Sequence, residues 1–246
     1  MKFKDIFEKS TVKRLSVLPS SSDPSLKNNG PDVFWRSAGH QMKTSLNLIA
    51  YRMQELLEDP DPQKKEEIQE EMQHLSSLLS GALSFSRSGQ MSQDIAPPQS
   101  IDFGKALQRI IQKALPAKDQ SRVQIHIPKE IIIAEINEAS FSEAFRAVLE
   151  NALSYSQGHS VEINLTIEKK KILLSIKNEG SFLAPSQSKD IFKPFFRGDS
   201  DLPGTGLGLS IAQRIIEQHN GQIEAKSDGA HWTEFVFTLP LISLVK

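Results

Sequence analysis

Asp59-Pro60-Asp61-Pro62 sets two prolines within three residues, between stretches whose apolar residues recur in alternating steps of four and three. Upstream these residues are Met42, Leu46, Ile49, Met53 and Leu56, and downstream Ile68, Met72, Leu75, Leu79 and Ala82. Such steps place side chains on one side of an α-helix. Proline ends a helix because it lacks an N–H and its ring strikes the preceding turn. The pattern therefore predicts two helices, each with one apolar seam, folded back as an antiparallel hairpin. A lone hairpin leaves half of that seam open. Either a second copy closes it, giving a four-helix bundle and a homodimer, or the rest of the chain covers it.

The remaining sequence is organised differently. Residues 1–31 form a polar arm with breaker clusters at Ser20–Pro24 and Asn28–Pro31, and the hairpin region occupies 32–88. Ser86–Pro98 reads as a second linker, and 98–242 as a mixed α and β domain. Its expected helices are Phe103–Leu115, Ser140–Ser154 and about Gly206–His219, the last ended by Asn220-Gly221. Its expected strands are Val123–Ile127, Ile131–Ala134, Val161–Ile167, Lys171–Ile176, Gln222–Ala225 and Thr233–Leu239. The predicted class is α+β: a helical hairpin followed by a sandwich with helices on one face of a mixed sheet.

Composition limits the chemistry available. With 246 residues the chain can bury a core without staples, and with no cysteine it has no disulfide, thiol nucleophile or cysteine-bound metal. Its 29 basic and 30 acidic residues give a net charge of -1, which argues against a nucleic-acid partner. The apolar runs, such as Ile131–Ala134, fall far short of the roughly 20 residues a membrane helix needs. The N-terminus has no secretory h-region. A cytoplasmic protein is expected, taking its signal in the cytosol or forming part of something longer.

His40 lies on the first helix. At about 100° per residue, the seam falls roughly 160–240° from His40, and Thr44 and Asn47 fall within about 40° of it. On position alone, His40 is a surface histidine. An exposed imidazole is nonetheless suited to nucleophilic attack on phosphorus. No His, Asp or Glu stands one turn further along to make a metal site.

Three later segments occur in order. Leu149–Tyr155 places Asn151 on a helix, where a neutral amide oxygen can ligate Mg²⁺ beside a triphosphate. Ile176–Gly180 sets Asn178 at a strand end, where it can accept from an adenine amine, and Gly180 lets the backbone approach the ring. Gly204-Thr205-Gly206-Leu207-Gly208-Leu209 opens a helix with exposed N–H groups suited to phosphate. Taken singly, a glycine-rich helix start is as readily a plain turn. The spacing fits neither a dinucleotide fingerprint, since no strand precedes it, nor a P-loop.

Together, residues 33–240 resemble the catalytic core of sensor histidine kinases. In that family a dimerising, phosphoaccepting helical hairpin precedes a Bergerat-type ATP-binding α/β sandwich. His40–Leu46 is similar to the H-E-L-R-T-P-L box, with Phe34 six residues upstream, and Asn151 matches the last residue of the N box. Asn178-x-Gly180 is similar to the D-x-G box, Ile191–Arg197 to the aromatic box of the ATP lid, and Gly204–Leu209 to G-x-G-L-G-L. The resemblance implies that His40 takes the γ-phosphoryl group of ATP and passes it to an Asp on a response-regulator receiver domain. It implies nucleotide contacts from Asn151, Tyr155, Asn178, Gly180, Phe192, Arg197, Gly204, Thr205, Gly206, Leu207 and Gly208, with Mg²⁺ on Asn151. Gln41 stands where the family keeps an acid beside the histidine, and Thr44 where it orients water for dephosphorylating the regulator.

Four positions depart from the family pattern. Gln41 cannot take a proton as a carboxylate would, and Ser45 replaces a helix-bending proline. Ala147 replaces an Asn of the N box, and Ser154 a basic residue. These changes are compatible with a full kinase, or with a weak one acting as phosphatase or phosphotransfer adaptor. The intact glycine box favours ATP binding over the adaptor. A gyrase- or chaperone-like ATPase would need an acid at position 147.

Overall fold

The structure, a computed structural model, describes residues 30–89, 97–180, 183–198 and 204–245. Most of the polar arm and much of the second linker lie outside these residues. Backbone contacts divide the chain into two units, Met1–Arg36 and Ser37–Lys246. In the first unit, Phe34 and Trp35 pack edge to face with ring centroids 5.1 Å apart.

Helix α1 spans Gly30–Glu58 and α2 spans Pro62–Gly89. The Asp-Pro pairs act at the expected place and in two ways. Asp59-Pro60 stops α1, whereas Pro62 starts α2 at a position where its missing N–H costs nothing. Asp61 Oδ1 accepts from the Gln63 N–H at 2.9 Å and caps the new helix.

The seam is divided rather than buried as a whole. Of the expected seam, Ile68 and Ala82 are buried, Met42, Ile49, Leu56 and Leu75 are half-buried, and Leu46, Met53, Met72 and Leu79 remain exposed; Ser45 and Leu78, outside that seam, are buried. Leu57 and Leu83 are exposed as well. Two helices side by side can cover only one edge of each stripe, so the other edge faces outward.

The α/β part holds the remaining helices, α3 (Phe103–Ala114), α4 (Glu138–Tyr155) and α5 (Gly208–Gln218). Its main sheet has the order β2-β4-β5-β7-β6, from Val123–His126, Val161–Glu168, Lys171–Glu179, Trp232–Pro240 and Gln222–Ser227. All pairs are antiparallel except β2 with β4, so the sheet is mixed. A second sheet has three strands, β1 (Gln99–Asp102), β3 (Ile131–Ile136) and β8 (Ser243–Val245), of which only β3 was expected from the sequence. Its outer strands are four and three residues long and mostly exposed, so they show no alternation. With β8, pairing runs past residue 242.

Alternation builds the core. Val161, Ile163 and Leu165 of β4, Ile172, Leu174 and Ile176 of β5, and Phe235, Phe237 and Leu239 of β7 are buried. Phe141 and Phe145 of α4, Leu107 and Ile110 of α3, and Ile211 and Ile215 of α5 are buried with them. Lys169 and Lys170 both take positive φ, as a two-residue turn between twisted strands demands. Helix α5 ends with Asn220 at φ +54, and Gly221 N–H and Asn220 N–H bond back to the Ile216 and Glu217 carbonyls.

His219, the last residue before that turn, is buried. Its Nδ1 donates to the Ile215 carbonyl at 2.7 Å, and its Nε2 accepts from the Asn137 N–H at 3.0 Å. The ring thus joins the end of α5 to the start of α4. Burial depresses its pKa, and the hydrogen bond to the Ile215 carbonyl only partly opposes that.

Candidate functional site

Helix α4 turns one face toward a cavity of about 700 Å³, presenting Ala147, Glu150, Asn151, Ser154 and Tyr155 at three- and four-residue spacing. Asn178 reaches the cavity from the end of β5, and Thr233 and Phe235 from β7. Leu183, Ala184, Gln187, Ile191, Phe196, Arg197 and Gly198 line it from the loop after β5. Gly204, Thr205, Gly206, Gly208 and Leu209 close it at the start of α5. Strand register brings Asn178 opposite Thr233, a juxtaposition no sequence spacing reveals.

Asn178 is 1% exposed. Its Nδ2 donates to the Glu179 carbonyl at 3.4 Å, while Oδ1 has no partner among the described residues. A buried acceptor left unpaired costs about 1–3 kcal/mol, a cost that a ligand N–H would remove. The cavity therefore carries an acceptor ready for an amine such as the exocyclic group of adenine.

The glycine turn is constrained by backbone. Gly206 has φ +70, and a Cβ there would lie 2.7 Å from the Phe195 carbonyl carbon and 2.8 Å from the Phe196 oxygen. The Phe195 N–H donates to the Gly206 carbonyl at 2.8 Å, joining the aromatic segment to the glycine turn. Helix α5 begins at Gly208, so its first N–H groups and the positive end of its dipole lie at the cavity. An anion fits that end and an amine-bearing ring fits the Asn178 end.

Three of the expected contact residues lie outside the lining. Gly180, at φ +111, sits against the end of α4, where a Cβ would lie 2.5 Å from the Ser156 carbonyl oxygen. Its role is to let two walls of the cavity touch. Phe192 is buried, and its neighbours Ile191 and Phe196 line the cavity instead. Leu207 is buried, and a Cβ on Gly81 of α2 would lie 2.6 Å from its Cδ1. The same glycine turn thus meets the cavity through its backbone and α2 through its leucine. Glu150, Thr233 and Phe235 are among the lining residues that were missed. Helical spacing from Ala147 and Ser154, three and four positions away, would have found Glu150.

Asn151 is half-buried in the lining. Among the described residues no three His, Asp or Glu gather to hold a metal ion. One amide beside a phosphate site suits a cation held mostly by phosphate oxygens and water, as Mg²⁺ is. His40, Gln41 and Thr44 lie on α1, apart from this lining. His40 and Thr44 are exposed, and Thr44 Oγ1 donates to the His40 carbonyl at 3.0 Å.

Residues 136–243 match the family of histidine kinase-, DNA gyrase B- and HSP90-like ATPases. The chain is 31% identical over 222 residues to the sensor protein kinase WalK of Staphylococcus epidermidis, a match covering 84% of this chain and 36% of the relative. It belongs to the sensor histidine kinases, as their catalytic core. The chain spans about a third of the length of that relative. Two solved structures share its fold. Histidine kinase ThkA in complex with response regulator TrrA superposes with a TM-score of 0.65 at 19% identity, covering 96% of this chain and 66% of that one. Full-length ShkA in complex with AMPPNP gives 0.58 at 21%, covering 89% and 47%. This histidine kinase core contains, among its described residues, no helix long and apolar enough to cross a membrane.

Proposed function

We propose that this core binds ATP in the cavity between α4, β5 and the glycine turn and transfers its γ-phosphoryl group to His40. The observation that carries this reading is the buried, unpartnered Asn178 Oδ1 at a cavity whose other end is a glycine-ringed helix N-terminus. Asn178 accepts from the adenine amine, and the Gly204–Gly208 turn donates N–H groups to the phosphates. Asn151 holds Mg²⁺, which when bound offsets charge on the phosphate oxygens. A His40 nitrogen attacks the γ-phosphorus, the bond to the β-bridging oxygen breaks, and ADP leaves. Phosphohistidine then passes the group to an aspartate of a response-regulator receiver domain. The ThkA–TrrA pairing supports a partner of that kind.

The hairpin, 32–88, is the dimerisation and phosphoacceptor domain, and 98–242 the ATP-binding domain. Exposed Leu46, Met53, Leu57, Met72, Leu79 and Leu83 support closure of the hairpin by a second copy. Thr44 favours a second reading, as response-regulator phosphatase. It is exposed one turn from His40, beside a Gln41 that cannot act as a base.

Incubation with γ-labelled ATP and Mg²⁺, beside His40→Ala, tests the proposal. Acid-labile label on the wild type and none on the variant is expected. Nucleotide binding without label would remove the autokinase and leave the phosphatase. No nucleotide binding would remove both the kinase and the site assigned to ATP.

A further inference from the structure

Arg122 lies outside the cavity, and nothing in the proposed chemistry uses it. It directly precedes β2, and its side chain is only 20% exposed. The guanidinium is committed in four directions. Nε donates to Asp119 Oδ1 at 2.8 Å, and Nη2 to the Leu153 carbonyl at 3.2 Å. Nη1 donates to the His159 carbonyl at 2.9 Å and to Ser156 Oγ. Ser156 is fully buried, and its Oγ donates in turn to the Leu153 carbonyl at 2.8 Å. Arg122 therefore caps the carbonyl end of α4, where the helix dipole also favours a cation.

That helix end is a wall of the cavity. Asn151, Ser154 and Tyr155 lie in the last turns of α4, directly beside the carbonyls Arg122 holds. The opposite wall leans on the same point, because the Gly180 backbone packs against the Tyr155 and Ser156 carbonyls. The turn between them is also bound to β5. Ser160 Oγ donates to Glu179 Oε2 at 3.1 Å, and the Glu179 N–H to the Ser160 carbonyl at 3.3 Å. The separation of Tyr155 from Asn178 is thus set by how α4 ends, and Arg122 fixes how it ends.

We infer that Arg122 is a positioning residue for nucleotide binding, holding the end of α4 against the Asn178–Gly180 segment so that the base end of the cavity is pre-formed. This rests on the assignment of the cavity to ATP. A guanidinium is suited to the task, because its rigid fork serves several carbonyls at once. Lysine would keep the charge beside Asp119 yet could not span the Leu153 and His159 carbonyls together.

The test measures ATP and adenosine affinity by calorimetry on wild type, Arg122→Lys, Ser156→Ala and the surface control Arg109→Lys, at a temperature where all four are folded. Arg122→Lys is expected to weaken both ligands by the same factor, about tenfold, because the displaced contacts are on the base side. Ser156→Ala should weaken both about threefold, and Arg109→Lys neither. A purely structural role predicts a lower melting temperature for Arg122→Lys with unchanged affinities, and that outcome would overturn the inference. Loss confined to ATP, with adenosine unaffected, would also overturn it by placing the effect at the phosphates. If wild type binds neither ligand, the ATP assignment itself fails.

Discussion

In α1 and α2, Leu46, Met53, Leu57, Met72, Leu79 and Leu83 stand exposed, whereas in α3, α4 and β4 to β7 residues of the same kind are buried. Phe103, Phe141, Phe145, Leu149, Ile163 and Phe237 have almost no exposed surface. Apolar spacing is equally regular in both regions. The difference lies in the number of covering layers. A sheet face roofed by three helices is closed within one chain, while two helices cover only part of each other. The sandwich closes its own core, while the hairpin, touched by the sandwich where Gly81 meets Leu207, keeps part of its apolar surface exposed.

Substitutions should separate the two regions. The largest effect is expected from Phe141→Ala, which removes a ring packed edge to face on Phe103 and tilted against Phe237, with centroids 5.2 and 6.1 Å apart. A loss of about 3–5 kcal/mol is expected by denaturant melting. Leu57→Ala, 77% exposed, should stay within about 0.5 kcal/mol in the same experiment. Equal losses would break the comparison.

Gly180→Ala comes next. A methyl group cannot stand 2.5 Å from the Ser156 oxygen, and φ +111 is strained for any L residue. The two walls must part, and nucleotide affinity should fall by more than about tenfold while the hairpin keeps its helicity. Leu79→Glu does the reverse. Sedimentation should show self-association weakened by about tenfold or more, with nucleotide affinity unchanged.

The smallest effect is pH dependence confined to the sandwich. His219 has a folded pKa below its unfolded value of 6.5. Between those two values the unfolded chain binds more protons, so the contribution of His219 is complete above about pH 6.5 and is lost as pH falls below it. A second N–H on the ring would face the Asn137 N–H. Melting temperature should drop on acidification from about pH 7 to pH 5 in wild type and less in His219→Asn. Glu138, whose pKa is lowered by its hydrogen bond with Arg109, loses its contribution at more acid pH, below its usual 4.5.

Much of the fold was legible because local signals were strong. Asp59-Pro60-Asp61-Pro62 marked the end of one helix and the start of the next, and alternation marked β4, β5 and β7. The short edge strands β1 and β8 carried no such signal. For the site, Asn151, Asn178 and the glycine turn were recognisable by residue type and order. Phe192 and Leu207 were expected at the nucleotide because they lie inside the matching segments. Which side of a loop faces a cavity is decided by packing, and there Phe196 faces inward while Leu207 turns to Gly81.

The sequence by itself determined the longer elements, their order and the chemistry available at each, because proline, glycine and apolar period act over a few residues. Tertiary structure alone decided which groups meet. Sheet register set Asn178 opposite Thr233, and close backbone contact seated Gly180 on the end of α4. Arg122, unremarkable in its own segment, became the cap of a helix that starts sixteen residues later. Such contacts depend on distances between elements, which no short stretch of sequence encodes.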